Sequence, residues 1–240
     1  MNELSQAVQD YLKTIYHITE DGGRAATKQL AEALAVKPAS VTGMVQKMAK
    51  SQPPLIIYHK HQGVELTAVG QRAALETIRR HRLIEAFLYE ELGYEWDEVH
   101  EEADRLEHVI SEAMEARIAA VLGHPERDPH GHIIPSIELE TAPGTEFPLT
   151  GLEVGETAVI RRVCDANSET LRWLAHHNLR PGTEIKLTQT TTAGNHYIQT
   201  ADTQIDLHLP IAEIIFIDYL PTNKPTNYQT NKPTKETHST

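Results

Sequence analysis

The sequence predicts a mainly α chain with a β-rich end: two helical domains followed by a small β-barrel. Three observations predict it. Apolar residues recur at helical spacing through the first half. Short β-like runs replace them from Leu152 to Leu220. Between the two, residues 123–150 are rich in His, Pro and Gly and read as a linker. The 240 residues, 40% apolar and 23% charged, suffice for two or three small domains.

Each element has its own signal. Leu4, Val8, Leu12, Ile15 and Ile18 mark a helix over 3–20, stopped by Asp21-Gly22-Gly23. Thr27 is the expected N-cap of a short helix over 28–34. Pro38 opens the next helix as a first-turn proline, and this helix runs to about Lys50. Pro53-Pro54 precede a strand over 55–59, a turn at Gln62-Gly63 and a second strand over 64–66. Two longer helices follow, about 67–92 and 96–122, joined at Gly93 as a helical hairpin. Strands are predicted at 157–163, 184–190, 196–200, 204–209 and 214–219, with one helix at 168–177. The motif Thr-Asn-Lys-Pro-Thr stands at 222–226 and again at 230–234, in a stretch almost without apolar residues that is expected to be disordered. The chain therefore partitions into 1–72, 73–142, 150–220 and a tail, 221–240.

Composition excludes several functions. No apolar run approaches the roughly 20 residues that span a bilayer. The first ten residues, MNELSQAVQD, lack the basic and apolar regions of a signal peptide, so a cytoplasmic protein is expected. The single cysteine, Cys164, permits neither an internal disulfide nor a cysteine zinc cluster. A net charge of -12 argues against nucleic acid when taken whole. Its distribution argues otherwise. Residues 1–72 hold 8 basic and 6 acidic side chains, whereas 73–140 hold 6 and 17, together with 6 of the 14 histidines. Carboxylates and imidazoles crowded in this way suggest a divalent-cation site; the alternative is a solvated acidic helix face.

Helix, short turn, helix and hairpin is the order of a winged helix-turn-helix, whose second helix enters the DNA major groove. Its candidate reading face is Ala39, Ser40, Thr42, Gly43 and Gln46, with Lys37 and Lys47 near phosphates and Lys60 in the wing turn. Val41, Met44, Val45 and Met48 face the core. A scaffold with no DNA role is the alternative. In the second long helix His100, Asp104, Glu107 and His108 fall at i, i+4, i+7 and i+8, on one face. His81 and Glu85 form a second i, i+4 pair on the preceding helix. The run from His100 to Asp104 resembles a zinc-protease helix motif with its second His replaced by Asp. Nothing supplies the open metal position or substrate cleft that catalysis needs, so an enzyme is not expected. Leu83, Phe87, Leu106, Val109, Ile110, Met114 and Ile118 form an apolar set shared between intrachain core and a homodimer interface.

Six motifs in order make the chain resemble the diphtheria-toxin-repressor/manganese-transport-regulator family of metal-dependent repressors. They are Asp10-Tyr11-Leu12-Lys13-Thr14-Ile15-Tyr16; Lys37-Pro38-Ala39-Ser40-Val41-Thr42 with Met44 to Met48; Leu66-Thr67 followed by Gly70; Arg80-His81-Arg82-Leu83; Glu107-His108; and Asp128-Pro129-His130-Gly131-His132 followed by Ile134-Pro135. The resemblance covers residues 1 to about 220, its last part being similar to the SH3-like, FeoA-like barrel of the longer members. It implies a homodimer that binds operator DNA and about two ions per chain. The principal site would fall on Asp10, Asp104, Glu107 and His108. The second would fall on His81, Glu85, Asp128, His130 and Asp165, with Glu169 as the alternative to Asp165 and His100 as a further ligand or supporting group. Every implied ligand is carboxylate or imidazole, which shifts preference toward manganese(II), with iron(II) as the alternative. Lys13 and the short Asp104 depart from the short manganese regulators, which usually carry Glu at both positions. In a dimer the ion would fix the two recognition helices about one DNA turn apart, roughly 34 Å. A metal-sensing protein-interaction module without DNA binding is the reading from another class.

Overall fold

The computed structural model describes residues 4–20, 22–141, 144–164, 167–192 and 194–220. The disorder expected of 221–240 falls outside the described residues. The chain divides into two compact units. One runs to Gly144 and takes in 165–173; the other holds Thr145–Cys164 and the chain from Leu174. No helix among the described residues is long and apolar enough to cross a membrane.

Helix α1 (Gln6–Thr19) buries Val8, Tyr11, Leu12 and Ile15, the stripe its spacing predicts. Helices α2 (Thr27–Ala33) and α3 (Pro38–Ala49) follow. Thr27 is not the cap of α2. Ala26 holds that position, and its N–H donates to Gln29 Oε1 at 2.9 Å, the half of a capping box that needs no hydroxyl at the cap. Strands β1 (Ile56–His59) and β2 (Gly63–Leu66) pair antiparallel with His59 opposite Gly63. Ala25 and Val64 exchange backbone hydrogen bonds at 3.1 and 3.0 Å, which ties this hairpin to the segment before α2. Gly63 has φ +107°, and a Cβ there would lie 2.7 Å from Ala25 O. Leu12, Ile15, Leu30, Val41, Val45, Met48, Ile56 and Val64 close one core.

Helix α4 (Ala68–Glu90) starts at Thr67, whose Oγ1 accepts the Gly70 N–H at 3.1 Å. Gly70 passes so close to Leu55 that a Cβ would lie 1.9 Å from its carbonyl oxygen. The expected long helix over 96–122 is instead two, α5 (Val99–Leu106) and α6 (Glu112–Val121). Ser111 makes the break: its Oγ accepts the Met114 N–H at 3.2 Å and caps a new helix. The apolar spacing runs through the break because Leu83, Ile84, Leu88, Val99, Ala103, Ile110 and Ile118 share one core. The predicted linker is also partly structured. Residues 124–141 fold back, with Asp128 N–H donating to His132 O at 3.0 Å and Ile134 N–H to Glu126 O at 2.9 Å. Arg79 and Arg82 donate to the carbonyls of Pro135 and Ile133, both at 2.6 Å, and so supply partners that no regular ladder offers there.

The second unit is a six-stranded antiparallel sheet in the order β3-β8-β4-β5-β6-β7. Its strands are β3 (Phe147–Pro148), β4 (Thr157–Val163), β5 (Glu184–Thr190), β6 (His196–Gln199), β7 (Gln204–Leu207) and β8 (Ile215–Tyr219). Helix α7 (Ser168–His176) follows β4, and α8 (Leu209–Ile214) precedes β8. The expected barrel is therefore an open sheet: β3 and β7 form its edges and do not pair. Strand β3 is two residues long and ends on a proline, which has no N–H to extend a ladder.

Candidate metal centre and DNA-facing helix

Four segments of the first unit converge on one polar cluster. Helix α1 presents Asp10 and Lys13 one turn apart, and α4 presents His81 and Glu85. Helix α5 presents His100 and Asp104, and the turn after it presents Glu107 and His108. The 124–141 segment adds Asp128 and His130. Glu85 and Glu107 are 1% exposed and His130 is fully buried. Carboxylates are seldom buried this far unless paired, because desolvation disfavours the charge.

The donors fall into three groups, each with ligand atoms within 4.8 Å of one another. In the first, His108 Nε2 lies 2.9 Å from Asp10 Oδ1 and 3.2 Å from Glu107 Oε1. His108 Nδ1 is 2.5 Å from Gln9 Oε1, which fixes the imidazole by accepting Nδ1–H and leaves Nε2 toward the carboxylates. In the second, His81 Nε2 is 3.1 Å from His100 Nδ1, and His81 Nδ1 is 3.3 Å from Asp104 Oδ1. His100 Nε2 is 3.6 Å from Asp104 Oδ2. The third holds Glu85, Asp128 and His130. His130 Nε2–H donates to Trp96 O at 3.0 Å, which turns Nδ1 toward Glu85 Oε1 at 3.7 Å. Asp128 Oδ1 accepts the N–H groups of His130 and His132, both at 2.9 Å, while Oδ2 is buried without a hydrogen bond. That oxygen, 3.3 Å from His132 Nδ1 and 3.8 Å from Arg82 Nε, groups with His130 and Glu85 as a set that fits a cation.

This grouping differs from the two sites expected. Asp104 stands with His81 and His100, apart from Asp10, Glu107 and His108. His81 touches Glu85 at 2.9 Å but groups apart from Asp128 and His130. Asp104 lies within α5 and Glu107 and His108 just past its end, and two side chains bridge the groups: His81 Nδ1 is 2.5 Å from Glu107 Oε2, and Lys13 Nζ is 2.9 Å from Asp104 Oδ1. Asp165 lies outside the described residues, and Glu169 is exposed in the first turn of α7. Gln9 and Trp96 went unread, since neither carries a spacing signal; only the fold brings them to the imidazoles.

Lys13 sits at the middle of the cluster. Its Nζ donates to Asp104 Oδ1 at 2.9 Å and to Glu107 Oε2 at 2.8 Å, and lies 3.1 Å from His81 Nδ1. Burial opposes the charge on Lys13, but Glu107 and Asp104 outweigh it and its pKa is raised. Burial likewise opposes the imidazolium of His81, yet Glu85, Asp104 and Glu107 hold its pKa well above the ordinary value. Burial would raise Asp104 and Glu85, but His81 and its neighbours bring both well below the usual carboxylate range. Asp10 moves the other way, mainly through burial.

The expected reading face of α3 is solvent-facing throughout. Lys37, Ala39, Ser40, Thr42, Gly43, Gln46 and Lys47 are exposed, as is Lys60 in the hairpin turn, while Val41, Val45 and Met48 are buried. Of the apolar set on the helical hairpin, Leu83, Ile110 and Ile118 belong to the intrachain core. Val109 and Met114 remain 74% and 48% exposed.

Comparison with known proteins gives three family matches in series. Residues 3–64 match the iron dependent repressor, N-terminal DNA binding domain. Residues 67–136 match the iron dependent repressor, metal binding and dimerisation domain, and 147–219 the FeoA domain. The iron-dependent repressor IdeR of Mycobacterium tuberculosis is 38% identical over 144 residues, which are 60% of this chain and 62% of that protein. A solved structure of a manganese-dependent transcriptional repressor in complex with manganese is 36% identical with a TM-score of 0.82, over 89% of this chain and all of that one. The manganese regulator SloR is 33% identical with a TM-score of 0.73, over 89% of this chain and 98% of that one.

Proposed function

The chain belongs to the iron-dependent repressor family, whose members are transcriptional repressors and not enzymes, and we propose that it is a manganese(II)-dependent repressor of metal-homeostasis genes. In this reading it is cytoplasmic and binds operator DNA as a homodimer, through Val109, Met114 and their neighbours. The observation that carries the reading is the first donor group. Asp10 comes from α1, which packs into the core that also seats α3, whereas Glu107 and His108 come from the helical hairpin. A cation held by all three supplies positive charge between two carboxylates that otherwise repel, and so favours one placement of the recognition helix. The ligand that binds the locked arrangement better shifts the population toward it.

We assign Asp10, Glu107 and His108 to the principal site and Glu85, Asp128 and His130 to the second. His81, His100 and Asp104 lie between them. The donors are oxygen and imidazole nitrogen, and the one cysteine, Cys164, belongs to the second unit. Donors without sulfur shift preference toward manganese, although raw affinity rises toward later metals, so selectivity would rest on coordination number and geometry. Iron(II) is the second reading, favoured by the 38% identity to an iron-dependent repressor.

The test is fluorescence anisotropy of metal-stripped protein with DNA from upstream of its own gene, at fixed salt, with and without manganese(II) or iron(II). Salt is fixed because phosphate contacts make affinity steeply salt-dependent. Tight binding only with manganese is expected. Equal binding with and without ions ends the switch reading. Metal binding without affinity for any operator favours the protein-interaction module.

A further inference from the structure

We propose that Lys13 is a tethered competitor for the ion-binding carboxylates and sets the ion concentration at which the protein responds. The proposal rests on the assignment of Asp10, Glu107 and His108 as the principal site, and it goes beyond that assignment. The Lys13 ammonium reaches both oxygens of Glu107, at 2.8 and 3.1 Å, as well as Asp104 Oδ1 at 2.9 Å. His81 Nδ1, at 3.1 Å, is its fourth neighbour. An ammonium has three donors, and the three carboxylate oxygens suffice to take them. Its side chain is 16% exposed and that of Glu107 1%, so solvent screens the pair weakly.

The atoms that Lys13 engages are also cation donors. Glu107 belongs to the group with Asp10 and His108, and Asp104 to the group with His81 and His100. Each carboxylate lone pair turned toward the ammonium is one fewer for a divalent ion, and the two cations repel each other across Glu107. Lys13 stands one helical turn from Asp10 on α1, so the approach of α1 that delivers Asp10 also delivers the ammonium. Ion affinity is therefore held below what the same donors would give without it. The ammonium also pairs a buried carboxylate, so removing it destabilises the metal-stripped fold. The two effects have opposite signs, whereas a lysine with a structural role only would lower both quantities.

The experiment is calorimetric titration of manganese(II) into metal-stripped full-length protein at fixed ionic strength, together with thermal unfolding before metal is added. Lys13→Met is expected to bind manganese at least tenfold more tightly while unfolding at a lower temperature. Lys13→Arg, which keeps the charge, is expected to bind within threefold of the wild type. If Lys13→Met does not fold, Lys13→Gln takes its place with the same expectation. Affinity unchanged or weakened in a folded neutral variant overturns the proposal. His108→Ala separates the two readings. If it binds manganese as the wild type does, the principal-site assignment itself fails; if it binds weakly while Lys13→Met is unchanged, only the competitor role fails.

Discussion

The buried ion-pair cluster and the outer face of α3 lie in the same unit and are built on opposite principles. The cluster collects charge from four separated segments and hides its centre: Glu85, Glu107 and His81 are at most 5% exposed, while the Asp104 side chain stays half in solvent. The α3 face is one contiguous stretch of small and polar residues left in solvent. In the cluster a side chain is costly to lose because its neighbours depend on it for charge balance. On α3 these side chains are exposed, and of them Thr42 bonds the helix's own backbone at Pro38 O, so their value lies mainly in what they meet outside. The difference teaches how to separate fold from function by mutation: the cluster couples the two, and the α3 face does not.

The largest expected effect breaks the cluster. Glu107→Ala removes the carboxylate that Lys13, His81 and His108 share and leaves the buried Lys13 ammonium short of a partner, which costs about 3–5 kcal/mol. Urea unfolding of the metal-stripped protein measures it, and a loss below about 1 kcal/mol would place these charges in the solvated class. Next in size is the loss of self-association. Replacing both Val109 and Met114 by Lys is expected to yield a folded monomer in sedimentation equilibrium, with the far-UV circular dichroism of the wild type, because both positions are exposed in the single chain. A smaller effect is expected on α3. Lys47→Ala should weaken operator binding similarly on all sequences and reduce the salt slope of log affinity by about 1, leaving stability unchanged. A change in stability there would mean that the face serves the fold.

The same contrast decides what the sequence makes legible. Helix α3 starts at Pro38 as read, and its inward Val41, Val45 and Met48 follow from local spacing alone. The donor residues of the cluster are legible as residue types at helical intervals, but their partnerships are not. They depend on where α5 ends, at Leu106, inside an apolar pattern that continues across the break. Asp104, within α5, groups with His81 and His100, whereas Glu107 and His108, past its end, group with Asp10. Similarly, Asp128 and His130 are visible as a motif, yet their burial needs Arg79 and Arg82 to bind the returning backbone, a contact more than 50 residues away in sequence.

The smallest expected effect is the one that separates the two principles most sharply. Gly43 lies inside α3, where glycine costs roughly 0.5–1 kcal/mol relative to alanine. Packing does not explain it: its φ is not in the left-handed region, and a Cβ placed there meets no atom within 4 Å. In contrast, Gly63 and Gly70 face backbone at 2.7 and 1.9 Å. Gly43→Ala is therefore expected to stabilise the protein by about 0.5–1 kcal/mol, read as a shift in the urea midpoint. If the missing methyl is what lets the helix backbone approach base edges, the same variant binds the operator several-fold more weakly with manganese present, while its manganese affinity stays at the wild-type value. Stability gained with DNA affinity unchanged would show that the major-groove approach leaves room at this position, and would move the reading face toward Gln46 and Lys47.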